Sequence, residues 1–257
     1  TGRKELMLLG HNTRVNALAW SPDGHWLAST DFVGNVILWD AQEGKRLRSI
    51  EKLYSTDAIA ISPDGLLVAT THGVYDSGDG HEVVDFRDNT VPPWLRNLFF
   101  KFSSDGRRLI GMGSYLTIID ATTWQVLKCS DPINSNIVAM DLAPDERRLV
   151  TGDIDGSVRL WDVETLKETA ILGRHAARVK SVAFSPDGAQ VASAGDDKAI
   201  IIWDVHSRTE VARVGSHGTP VLAVAFSPDG NKIVSGEHDN SVHVYTRHGM
   251  LWGHRLD

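Results

Sequence analysis

Apolar and polar residues alternate in short runs along this chain, and none of the runs keeps a helical spacing, so the pattern predicts strands separated by turns. Runs such as Val15 to Trp20 and Val179 to Phe184 are rich in Val, Ala and Phe with small residues interleaved. They suit the innermost strand of a sheet, where neighbouring strands crowd. A turn and a second apolar run follow, as in Trp26 to Ser29, Leu149 to Thr151 and Ile233 to Ser235. A third run ends on a Trp-Asp pair in Asn35 to Asp40, Ser157 to Asp162 and Ala199 to Asp204. A fourth, more polar run such as Glu210 to Val214 fits an exposed sheet edge.

The turn between the first two runs recurs. Ser-Pro-Asp-Gly begins at Ser21, Ser62, Ser185 and Ser227, Ser-Ser-Asp-Gly at Ser103 and Ala-Pro-Asp-Glu at Ala143, with successive spacings of 41, 41, 40, 42 and 42 residues. Pro fixes φ, Asp caps the turn through its side chain, and Gly takes the positive φ that strains other residues. A four-stranded unit repeated at this period predicts an all-β propeller of four-stranded antiparallel blades with six repeats visible. Leu6 to Leu9 is placed to supply the outer strand of the last blade and close six blades without an open edge. In the competing reading Met250-Leu251-Trp252 is that strand, and a seventh blade is missing upstream. Because the chain opens on Thr1 and not Met, residues 1–257 are read as a single domain cut from a longer chain.

With six registers of this hairpin, three Trp-Asp pairs and Gly10-His11 ahead of the first repeat, the sequence resembles the Trp-Asp (WD) repeat family of β-propellers along essentially its whole length. It is read as a bacterial member. The hairpin Ser, or its equivalent, stands 18 residues before Trp39, Trp161 and Trp203, and the same offset in the last repeat lands on Tyr245. The resemblance implies a hydrogen-bonded set inside each blade: a His before the first strand, a Ser or Thr in the second, an Asp in the next turn and the Trp of the third. The fifth repeat matches with His175, Ser193, Asp197 and Trp203, and the sixth offers His217, Ser235, Asp239 and Tyr245. The fourth has Thr151, Asp155 and Trp161 without a His; the first has His11, Ser29 and Trp39, with Val33 where the Asp belongs. Two repeats depart further. The third carries Ile119-Asp120, and the second is read with a lengthened His72 to His81 connection and Val84-Asp85 at the Trp-Asp position.

Composition narrows the function. A net charge of −7 disfavours a phosphate-backbone binder, so no nucleic acid partner is expected. Cys129 is the single cysteine, which excludes an internal disulfide and suits a reducing, cytoplasmic setting. No apolar run reaches the ~20 residues that span a bilayer, so no membrane partner is expected either.

His, Ser and acid within one blade have the residue types of a catalytic triad, but a set repeated at the blade period is better explained as internal hydrogen bonding. No enzyme activity is expected. His72, Asp76, Asp79 and His81 could hold a divalent cation, yet their spacing matches no calcium-loop signature, so the group is read as turn chemistry and neither a metal nor any other cofactor is expected.

Counting back seven residues from each hairpin Ser or its equivalent gives Arg14, Ser55, Arg96, Asn136, Arg178 and Pro220. In a propeller these positions ring one mouth of the channel, and three arginines on alternate blades favour a carboxylate- or phosphate-bearing group. Pairing with carboxylates on the rim is the competing account. Trp94, after the Pro92-Pro93 pair, is a second candidate contact. These residues fit a monomeric, non-catalytic scaffold that binds protein or peptide, with acidic segments as the candidate ligand class. The runner-up is a ligand-sensing or regulatory domain of a bacterial multidomain protein.

Overall fold

The computed structural model describes residues 7–50, 58–86, 99–214, 217–239 and 241–246. The chain divides into two compact units, Thr1–Asp131 and Pro132–Asp257. In the first unit, one blade is β1 (Val15–Trp20), β2 (Trp26–Asp31), β3 (Val36–Asp40) and β4 (Arg46–Ile50). The second is β5 (Ile59–Ile61), β6 (Leu67–Thr70), β7 (Gly73–Asp76) and β8 (Glu82–Asp85), and the third β9 (Phe99–Phe102), β10 (Arg108–Met112), β11 (Leu116–Asp120) and β12 (Val126–Cys129). The second unit continues with β13 (Ile137–Leu142), β14 (Arg148–Asp153), β15 (Ser157–Asp162) and β16 (Lys167–Arg174) as its opening blade. The fifth is β17 (Val179–Phe184), β18 (Gln190–Gly195), β19 (Ile200–Asp204) and β20 (Thr209–Val214), and the sixth β21 (Val221–Phe226), β22 (Lys232–Glu237) and β23 (Val242–Thr246). Each is an antiparallel meander in chain order, so the all-β propeller class read from the sequence is the one observed. No helix among the described residues is long and apolar enough to cross a membrane.

The repeated turn forms as its residues dictate. In the first blade Ser21 Oγ donates to Asp23 Oδ1 at 2.6 Å and accepts the Trp26 N–H, while Gly24 takes φ 71°. The same pair recurs at Ser62–Asp64, Ser103–Asp105, Ser185–Asp187 and Ser227–Asp229. The Ser227 hydroxyl, with help from Asn231, holds the Asp229 carboxyl down at about 2. In the fourth blade Glu146 adopts the positive φ, 56°, that glycine takes elsewhere.

Apolar burial joins blade to blade within each unit. One face of a blade, here its forward face, packs on the rear face of the next. Ala28, Val36 and Leu38 meet Ile59, Ile61 and Val68 in the first unit. Val150, Val158 and Leu160 meet Val182, Phe184 and Val191 in the second, and Ala192, Ile200 and Ile202 meet Val224, Phe226 and Ile233 one blade further on. Inner strands are also stapled: Asp141 Oδ2 accepts the Phe184 N–H at 2.9 Å, and Ser181 Oγ accepts the Val224 N–H at 3.2 Å. Outer strands share one irregularity. Register slips next to the aromatic of the third strand, at Leu38/Trp39, Val74/Tyr75, Leu160/Trp161 and Ile202/Trp203, and at Ile118/Ile119 in the third blade.

The second blade corrects the sequence reading. His72 to His81 is not a lengthened loop: Thr71-His72 form a tight turn, and β7 pairs with β6 so that Tyr75 faces Val68 and Asp76 faces Leu67. Trp39 and Asp40 face Leu27 and Trp26 in the same way, so Tyr75-Asp76, not Val84-Asp85, holds the Trp-Asp position. Gly73 opens this strand where β8 comes close, since a Cβ there would lie 2.3 Å from the Val84 carbonyl oxygen. Of the closing strand expected from Leu6 to Leu9, Met7 to Leu9 are described and form no strand, with Leu8 packed on Leu27, Ile37 and Trp39 of the first blade, while Leu6 and the rival at Met250 to Trp252 lie outside the described residues.

Candidate functional site

The fifth blade builds the polar set as its sequence implies. His175, just ahead of β17, places Nδ1 2.8 Å from Asp197 Oδ1 and Nε2 2.7 Å from Ser193 Oγ. The Trp203 indole N–H donates to the same hydroxyl at 2.7 Å. With Nδ1–H donating to the carboxylate, the Ser193 hydroxyl accepts from the indole and donates to Nε2. Burial pushes the His175 imidazole below its ordinary value, against the opposing pull of Asp197. Burial also raises the Asp197 carboxyl, but the His175 hydrogen bond and charge outweigh it and leave it lowered. Ser193 is fully buried, so its hydroxyl has no route to a substrate carbonyl, and the set holds the blade together instead of doing chemistry.

In the first, fourth and sixth blades the acid comes from a different place. The first blade lacks a carboxylate at Val33, but Asp31 at the end of β2 supplies one, its Oδ2 3.0 Å from His11 Nδ1. His11 Nε2 meets Ser29 Oγ at 2.6 Å, and Trp39 Nε1 donates to that hydroxyl. Burial raises the Asp31 carboxyl, yet hydrogen bonds from Asn35 and His11 hold it below the usual range. In the sixth blade His217 Nδ1 lies 2.6 Å from Glu237 Oε1, and His243 Nε2 lies 3.2 Å from the same oxygen. Asp239 is not in the set: it is exposed and caps the Ser241 N–H. Because Tyr245 replaces Trp, Ser235 Oγ loses the indole donor and has no hydrogen-bond partner among the described residues.

In the fourth blade Trp161 Nε1 donates to Thr151 Oγ1 at 2.9 Å, and the buried carboxylate is Asp153, paired with Arg159 Nε at 3.0 Å. Burial raises the Asp153 carboxyl despite that partner. Asp155 points elsewhere, accepting the Ser157 N–H and pairing with Arg174. Asp31, Asp153 and Glu237 all stand two residues after the second-strand hydroxyl. In the fifth blade that place is Gly195, where a Cβ would lie 2.7 Å from the Arg178 carbonyl oxygen, and Asp197 serves instead.

The remaining candidates are on the surface. Asp76, Asp79 and His81 bring their ligand atoms within 4.8 Å of one another, but His72 turns away to Thr71. Their oxygens are engaged in the turn itself: Asp76 Oδ1 accepts from Gly78 and Asp79 N–H, and Asp79 Oδ1 from His81. Arg14 is exposed, with its guanidinium 5.7 Å from the Phe32 ring centroid and Nε donating to Asn16. Arg178 is exposed in the second unit. Neither arginine has a carboxylate partner among the described residues, so the rim ion pairs considered above are not formed by these two. Arg96 and Trp94 lie outside the described residues.

Blades of this register, with a buried hydroxyl taking the third-strand indole beside a buried acid in the first, fourth and fifth, define a Trp-Asp propeller protein. The family model for the WD domain, G-beta repeat (WD40) matches residues 2–40, 124–162, 166–204 and 208–246, more than half of the chain, and the chain belongs to that family. The second blade, with Tyr75 in place of Trp, falls outside the matched segments. The chain is 28% identical over 158 residues to the small ribosomal subunit protein RACK1 of Brassica napus, covering 61% of this chain and 41% of that protein. It is 27% identical over 173 residues to THO complex subunit 3 of Arabidopsis thaliana, covering 63% and 53%. With WD repeat-containing protein 82 of Drosophila melanogaster the identity is 28% over 191 residues, covering 68% and 59%. The chain thus spans roughly two to three fifths of the length of these relatives. All three are eukaryotic, and they lend no support to a bacterial origin or to a bacterial multidomain protein.

Proposed function

We propose that this chain is a non-catalytic platform that binds protein or peptide, with Arg14 and Arg178 among its contact residues and acidic segments as the ligand class. The observation that carries this reading is the surface of the first blade. Arg14 is steadied by the Phe32 ring and by Asn16, and its terminal nitrogens face solvent beside Phe32 and Val33, which are 55% and 43% exposed. The matching turn of the fifth blade carries Asp196 and Asp197. An arginine without a carboxylate partner next to exposed apolar side chains has the composition of an interface hot spot. The names of two relatives, a ribosomal subunit protein and a THO complex subunit, are those of proteins within assemblies. A cytoplasmic location goes with this reading, given the single exposed thiol of Cys129.

The test is binding of acidic and phosphorylated peptide libraries to the parent, to Arg14→Ala/Phe32→Ala, to Arg178→Ala and to Asn136→Ala/Pro220→Ala as control. A desolvated charge-assisted contact is worth about 1.5–3 kcal/mol, so each Arg variant should lose roughly tenfold or more in affinity, and parent binding should weaken with salt. Equal binding by all four proteins would refute the assignment.

A further inference from the structure

The residue seven before the hairpin is tied, within its own blade, to one residue of the turn that follows the second strand. The Phe32 N–H donates to the Arg14 carbonyl at 2.9 Å, Ile154 to Asn136 at 3.0 Å, Asp196 to Arg178 at 2.9 Å and His238 to Pro220 at 3.0 Å. This bond sets the two residues side by side on one blade. The two described blades with arginine at the first place differ at the second. In the first blade the neighbour is the exposed Phe32, whose ring lies under the Arg14 guanidinium, and Asn16, two residues on, accepts from Arg14 Nε. In the fifth blade the same places hold Asp196 and Lys180, which pair at 3.3 Å. One arginine therefore has an uncharged, aromatic flank and the other an ion pair, and Asp196 is engaged by Lys180, so Arg178 keeps its charge for a ligand.

We propose that, on the platform assigned above and resting on that reading, Phe32 and Asp196 decide which residue stands beside the acidic group of the ligand. The first blade takes an acidic residue with an apolar neighbour, and the fifth an acidic residue with a polar one. An apolar side chain laid on Phe32 leaves water together with the ring, beside a guanidinium that is itself stacked on that ring. The same side chain laid on the fifth blade strips water from the Asp196–Lys180 pair and offers its charges nothing in return.

The experiment measures the affinity of two acidic peptides of equal length and charge, one with Leu and one with Ser beside a central Glu. They are titrated against the parent, against Arg178→Ala, which keeps the first blade's pair, and against Arg14→Ala, which keeps the fifth blade's. Arg178→Ala should prefer the Leu peptide by about tenfold, the worth of covering part of one Leu side chain, and Arg14→Ala should prefer the Ser peptide. Adding Phe32→Asp to Arg178→Ala should abolish the Leu preference, and adding Asp196→Phe to Arg14→Ala should create one, with circular dichroism checking that each variant is folded. A Leu preference that is absent from Arg178→Ala, equal in the two single variants or untouched by Phe32→Asp overturns the assignment of Phe32 and Asp196 while leaving acidic binding intact. A parent that binds neither peptide overturns it together with the platform reading.

Discussion

Replacing His175 by Ala should reveal how much one internal set contributes. The substitution removes the donor to the half-buried Asp197 Oδ1 at 2.8 Å and the acceptor of the fully buried Ser193 hydroxyl at 2.7 Å. Asp197 keeps the Ala176 and Ala199 N–H groups, and Ser193 keeps the Trp203 indole, so neither is wholly orphaned. The loss is therefore one charge-assisted and one neutral hydrogen bond, about 2–3 kcal/mol. For a chain of this size each kcal/mol lowers Tm by roughly 2–4 °C, which gives a drop of about 4–12 °C. The assay is thermal unfolding by circular dichroism, in a cycle with Asp197→Ala and the double variant. A coupling energy near zero between the two residues would refute the geometry. The cycle also has a pH signature. His175 is held neutral by burial, below its ordinary 6.5, so the unfolded chain binds more protons in acid. The stability tied to His175 is fully present above pH 6.5 and is lost as pH falls through the lowered folded value. His175→Ala should flatten that part of the stability curve.

Two further outcomes follow from the same architecture. Asp31→Gly should cost about 1–3 kcal/mol, and adding Val33→Asp should restore most of it, because the pair recreates the Gly195 and Asp197 arrangement; denaturant midpoints of the single and double variants check this, and no recovery would show that the two carboxylate positions are not interchangeable. Gly173→Ala should destabilise by about 1–3 kcal/mol, since its Cβ would fall 2.3 Å from the Trp203 ring, whereas Gly218→Ala, with nothing within 4 Å, should be near neutral in the same melts.

The repeats were legible because their turns are local chemistry: Ser, Asp and Gly at fixed offsets close a hairpin whatever surrounds it. The fifth blade's set was legible for the same reason. What the motif concealed was substitution within a conserved geometry. A carboxylate reaches the imidazole from the second strand as well as from the turn, so Asp31 and Glu237 satisfy His11 and His217, while attention to the turn points to Val33 and Asp239. An acid two residues after the second-strand hydroxyl is the signal that would have found them. Arg159 was hidden because a third-strand side chain pairs with Asp153 where a His is missing, a contact between strands that linear spacing does not display. The second blade was misread because Thr71-His72 turn the chain without the usual Asp-Gly, and the Gly-rich stretch beyond it looked like a loop although Gly73 opens a strand.

The slipped register beside the third-strand Trp, Tyr or Ile of five blades bears on solubility. An outer strand exposes a row of unpaired backbone groups, and a straight one is a template onto which another chain can add, the first step toward fibrous aggregates. In five blades the slip leaves an extra residue on the outer strand, among them Leu47, Leu127 and Val211, and a bulge at that point twists the strand and interrupts its ladder. The residue left over is apolar at each of these three and exposed, so the protection is geometric and does not come from charge. Deleting Val211 to straighten β20 should therefore keep the blade's pairing potential while making the protein prone to precipitate through its edge.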